Sequence, residues 1–125
     1  MELDTSYIHL CIQDGILIGT YKKNIHINLE LAKQIVIDRI AFAGGKIMPS
    51  IIRSNGVVSI DRAARQYLSS AEGTAGLSAS AIVANSPFHL FLGNFFTTVN
   101  KTKMPVKIFS DMEQAKEWLQ QFKVR

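Results

Sequence analysis

Alternation opens the chain. Residues 7–13 set Ile8, Leu10 and Ile12 on one face and His9 and Cys11 on the other, the period-two pattern of a strand. Asp14-Gly15 follows, and both tolerate the positive φ of a type I′ turn, so residues 16–21 are expected to return as the partner of an antiparallel hairpin. After a connector at 22–27 the period lengthens. Leu29, Ala32, Val36, Ile40 and Ala43 recur at helical spacing, with Asn28 placed to cap the first turn and Gly44-Gly45 to end the last. A second apolar row, Leu31, Ile35 and Phe42, lies beside the first and needs cover from a neighbouring loop or another chain.

Residues 46–53 read as the third strand, where Pro49 removes a ladder donor and so implies an edge position or a bulge. Ser54-Asn55-Gly56 is a turn. Ser59 is then expected to cap a short helix over 60–70, with Ala63, Ala64, Tyr67 and Leu68 inward and Arg62, Arg65 and Gln66 outward. Residues 77–84 are apolar through their second half, as a central strand is. Ser86-Pro87 opens a third helix whose Phe88, Phe91, Leu92, Phe95, Phe96 and Val99 share a core face. A fifth strand covers 105–109. Ser110 and Glu113 form a capping box ahead of a last helix, which turns Met112, Ala115, Trp118, Leu119 and Phe122 inward.

The order ββαβαβαβα predicts an α/β fold: a mixed sheet of about five strands, largely parallel, with right-handed crossovers and the hairpin as an antiparallel edge. No repeat or linker divides residues 1–125, so one domain is expected.

Composition changes this picture little. An apolar content of 47% and a charged content of 19% fit a globular chain. The net charge of +4 is modest, and the basic residues are scattered where a nucleic-acid binder gathers them on one face. No apolar run is long enough to span a bilayer, and the acidic residues among the first ten do not suit a signal peptide. The single cysteine, Cys11, reads as a small buried hydrophobe in a reducing, cytoplasmic setting. Neither nucleic acid nor membrane is expected as a partner.

Candidate chemistry is sparse. His9, His26 and His89 lack metal-ligand spacing, Cys11 has no base beside it, and no nucleophile elbow or phosphate-binding glycine loop occurs. No catalytic residue, metal or cofactor is expected. One polar constellation remains. Arg53, Asn55, Arg62, Asn85 and Ser86 fall near the carboxyl ends of strands, where open α/β sheets bind ligands and where helix N-termini attract anions. The same residues also serve as ordinary caps and turns.

The order of elements and several residues resemble the STAS or SpoIIAA-like superfamily, the anti-sigma-factor-antagonist fold, and above all its uncharacterised bacterial members. The likeness runs over residues 16–119. It is carried by Asp61-Arg62-Ala63-Ala64-Arg65 with Tyr67-Leu68, by Ser86-Pro87 and Leu92-Gly93-Asn94-Phe95-Phe96, and by Phe109-Ser110-Asp111 with Ala115 and Trp118-Leu119. The resemblance implies a non-catalytic regulatory or protein-binding module. It also implies, in the sigma antagonists, a phosphorylatable serine after an aspartate that Asp61 matches. Arg62 and Ala63 occupy that serine's place and Ser59 comes two residues early, so the phosphorylation switch does not carry over. Some SpoIIAA-like proteins are similar to lipid carriers, yet no residue of this sequence marks a lipid pocket.

The expectation is therefore an interaction module that self-associates as a homodimer. Its contact surface would be Leu90, Asn94 and Thr97 on the outer face of the third helix, with Leu31, Ile35 and Phe42. The alternative is a sensor of nucleotides or phosphometabolites at the strand ends.

Overall fold

The computed structural model describes residues 1–84 and 104–123. A six-stranded sheet forms its centre: β1 (Glu2–Asp4), β2 (Ile8–Gln13), β3 (Ile16–Tyr21), β5 (Met48–Arg53), β7 (Leu77–Val83) and β8 (Val106–Phe109), in the order β1-β2-β3-β5-β7-β8. β1, β2 and β3 are antiparallel neighbours, and from β3 onward every pairing is parallel. The expected hairpin is β2–β3. Asp14 and Gly15 take φ of 53° and 75°, the conformation a type I′ turn demands. The hairpin is not the edge, because Glu2–Asp4 pairs outside it.

Two short strands, β4 (Ile25–Ile27) and β6 (Val57–Ile60), pair in parallel as a separate small sheet. This corrects the reading of Ser59 as a helix cap. Residues 57–60 remain extended because β4 offers them a partner, and α2 (Arg62–Leu68) starts later, with Asp61 at its N-cap position. Helix α1 (Leu29–Phe42) begins as expected, the Leu31 amide donating to Asn28 Oδ1 at 2.8 Å. Pro49 lies in a central strand, so the edge alternative fails and the bulge holds: the β5–β7 register shifts between Met48 and Ser50. In α3 (Met112–Leu119) the cap is Asp111, whose side chain accepts from the Gln114 amide at 2.8 Å, and not Ser110.

Strand alternation divides the core between the two faces of the sheet. Ile16, Ile18, Ile51, Ala79, Ala81, Val83 and Phe109 point to the face covered by α3, where they meet Ala115 and Leu119. Cys11 packs partly buried against them. Trp118 lies between Phe109 and Phe122, at ring-centre distances of 5.6 and 4.9 Å. On the opposite face Ile8, Leu10 and Leu17 meet Ile35 of α1. A third cluster, Ile27, Ala32, Val57 and Ala64, joins the small sheet to α1 and α2.

The second apolar row of α1 is thus covered from within. Ile35 is only 5% exposed, and Leu31 and Phe42 pack half-buried against the same clusters. Their cover is β2, β3 and the small sheet, so these three residues do not form a free contact face. On α2, Ala63 is exposed and Arg65 turns inward, its Nη1 donating to the Ile60 carbonyl at 2.7 Å. Among the described residues no helix is long and apolar enough to cross a membrane.

Candidate functional site

The chain leaves the main sheet at Ser54 and returns to it at Leu77. Between these points β6 pairs with β4, and α2 packs on α1 and the small sheet. The face of the main sheet beneath this excursion borders a cavity of about 130 Å³. Its floor is Ile8, Leu10 and Leu17 with Ile52, Ile82 and Val106. Ile35, Val36 and Leu68 border it from the helices. Gly19, on the Leu17 face of β3, lets this floor pack tightly: Ile8, Leu10 and Ile52 close over it at 3.3–3.4 Å from where a Cβ would stand.

Besides Ser80, whose Oγ accepts from Ser50 Oγ at 3.0 Å, three described polar residues break this apolar lining. Ser54 follows Ile52 in the strand alternation and so faces the same way. Its hydroxyl oxygen is buried and has no hydrogen-bond partner among the described residues. Such an atom loses its water without compensation. Tyr21 presents its ring to the cavity, and burial pushes its phenol up to about 12 against the opposing pull of the Arg39 charge.

Arg39 is the third. It is 6% exposed, with Nη1 donating to the Ala75 carbonyl at 2.7 Å and Nη2 to the Gly73 carbonyl at 3.0 Å. These bonds fasten α1 to the loop before β7. That loop passes so close that a Cβ on Gly73 would stand 2.0 Å from the Tyr67 carbonyl oxygen. Burial lowers the guanidinium's affinity for its proton, and the groups acting on its charge are Tyr21 and Tyr67. Both phenols are themselves pushed up, so at neutral pH neither supplies an anion.

The strand-end constellation is placed differently. Arg53 and Asn55 are exposed on either side of Ser54, and Arg62 is exposed in the first turn of α2. Asn85 and Ser86 lie outside the described residues, as do Leu90, Asn94 and Thr97. From β3 each parallel strand adds to the same side of the sheet, so the described strands contain no reversal of order of the kind that opens a binding crevice. The seven-residue α2 presents no side-chain cap at its start.

His9 sits between carboxylates, Nδ1 at 3.1 Å from Asp4 and Nε2 at 3.1 Å from Glu2, with Lys22 Nζ on Asp4 at 2.6 Å. This is an exposed lattice that ties β1 to the sheet. His26 Nδ1 meets Ser59 Oγ at 2.8 Å across the small sheet. Among the described residues no group of His, Cys, Asp and Glu has metal-binding geometry.

Sequence reasoning passed over Arg39 and the cavity. Arg39 stands four residues after Ile35 and three before Phe42, a cation inside an apolar row, and that position is a signal of burial.

The fold has a counterpart in an uncharacterised protein of the DUF3478 family from Shewanella loihica PV-4, described as having a SpoIIAA-like fold. The two share 17% identity at a TM-score of 0.64, over 95% of this chain and 98% of that one. The SpoIIAA-like architecture expected from the sequence is therefore the architecture of this protein. No curated protein matches the chain. Residues 10–123 match the family described as Domain of unknown function (DUF7793), and the chain belongs to that family.

Proposed function

We propose that residues 1–125 form one non-catalytic regulatory module that binds a small apolar molecule between the main sheet and helices α1 and α2. The cavity of about 130 Å³ carries this reading. A cavity of about 150 Å³ with an aliphatic and aromatic lining holds benzene, so a space of this size and lining has room for a small apolar molecule. The orphan Ser54 hydroxyl adds a polar point for orienting an occupant. The ligand preference thus differs from the phosphorylated metabolites suggested by the strand-end arginines. The partly buried lone thiol of Cys11 suits a reducing, cytoplasmic compartment.

Titration with benzene or cyclohexane, followed by amide chemical shifts, tests the reading. Shifts should gather at Ile52, Ile82 and Leu17 and disappear in Ile82→Trp, which fills the space. Unperturbed amides at those positions, in a protein that stays folded, would remove the ligand from the cavity.

Self-association is a second reading. Ile37 is 59% exposed and shares a row of α1 with exposed Leu29 and Ala41. A homodimer through this face would lose mass in light scattering on Ile37→Glu, and a strict monomer at high concentration would end the idea.

A further inference from the structure

Arg39 is a buried cation with no acidic partner among the described residues, and it lines an apolar cavity. Burying a guanidinium costs several kcal/mol unless charge or hydrogen bonds return it, and carbonyls return only part. A guanidinium also has more N–H donors than the two carbonyls here occupy. Those that remain belong to a planar fork suited to a carboxylate. Among the described residues the rest of the lining is apolar, apart from a phenol, two serines and the backbone of Gly73. Ser80 is already occupied, accepting from Ser50 Oγ at 3.0 Å. Ser54 Oγ has no hydrogen-bond partner among the described residues.

We infer that the occupant of this cavity is a small monocarboxylic acid with an apolar body, its carboxylate on the Arg39 guanidinium and its hydrocarbon against Ile52 and Ile82. The inference rests on the cavity reading above and adds the chemical class to it. Cavity size sets the body at about six carbons, near that of benzene. A dicarboxylate or phosphate ester would bring a second charge that the aliphatic walls cannot compensate. Binding would also supply the counter-charge that Arg39 lacks, so occupancy should stiffen the join between α1 and the loop at Gly73 and Ala75. That join is where a ligand signal could leave the interior.

Calorimetric titration of the full chain with benzoate and hexanoate, against benzamide and hexanamide, tests the assignment. The acids should bind about tenfold or more tighter than the amides, a difference of about 1.4 kcal/mol. Arg39→Met should bring acids and amides within about twofold of each other, in a protein whose circular dichroism and cooperative melting remain those of a folded chain. Should that variant fail to fold, Arg39→Lys keeps the charge without the fork and should weaken the acids by about threefold or more.

Acids and amides binding alike would overturn the carboxylate assignment while leaving the apolar cavity in place. A preference for acids that survives in a folded Arg39→Met, or is undiminished in Arg39→Lys, would put the anion elsewhere and overturn it too. No binding by either series at about 10 mM, together with no response to benzene, would remove the cavity reading itself.

Discussion

Ser50 Oγ donates to Ser80 Oγ at 3.0 Å across the β5–β7 pairing, and the two residues are 0% and 6% exposed. Each hydroxyl satisfies the other where water is excluded. Ser50→Ala should therefore cost about 1–2 kcal/mol in urea unfolding, mainly by leaving the Ser80 hydroxyl alone. The double alanine variant should cost less than the sum of the single ones. Additive losses would mean that the hydroxyls are satisfied independently.

The caps separate two neighbouring residues that look alike in sequence. Asp111, not Ser110, accepts from the Gln114 amide. Asp111→Ala should destabilise by about 1 kcal/mol, and Ser110→Ala by a few tenths. The reverse order in thermal melts would restore Ser110 as the cap.

Gly73 tests how tightly the loop beneath Arg39 is held. A methyl there would stand 2.0 Å from the backbone oxygen of Tyr67, so backbone must move before alanine fits. Gly73→Ala should cost more than about 2 kcal/mol, at the upper end for a change this small. It should also weaken any ligand that depends on Arg39. An unchanged unfolding midpoint would show that the loop yields freely.

Tyr21 gives a pH signature. Its phenol is raised from 10.0 to about 12 by burial, so the folded chain keeps this proton in a range where the unfolded chain loses it. The contribution is complete below the unfolded value and is lost as pH climbs from there to about 12, amounting to about 3 kcal/mol. Tyr21→Phe should flatten that alkaline fall. Tyr7 and Tyr67 are also raised, so part of the slope should persist. Unfolding midpoints at about pH 9, 10.5 and 11.5 would measure the difference, and identical slopes would place the Tyr21 hydroxyl in water.

Much of the fold was legible because its signals are local. The positive φ of Asp14-Gly15, the Asn28 cap and the alternation through Ile8, Leu10 and Ile12 each act within a few residues. The small sheet was not legible, since strands of three and four residues are too short to display a period and owe their conformation to each other. Ser59 shows the result: a good capping residue by type remained extended once Ile25–Ile27 gave its strand a partner. The candidate site divides in the same way. Arg53 and Asn55 were identified as polar residues after a strand, and they are exposed there. Ser54 between them continues the inward set of Ser50 and Ile52, which alternation alone could have indicated. A cavity is different, because it arises from spacing between elements distant in the chain.

The division of the core between the two faces of the sheet also sets a schedule for synthesis. The wall built by Ile16, Ile18, Ile51, Ala81 and Val83 is closed by α3, which follows all the described strands in the chain. A ribosome thus exposes a broad aliphatic wall well before its cover emerges, while the α1 face gains its helix immediately after β2 and β3. Released chains truncated before Met112 should recruit chaperones and aggregate, and those that extend through Phe122 should escape.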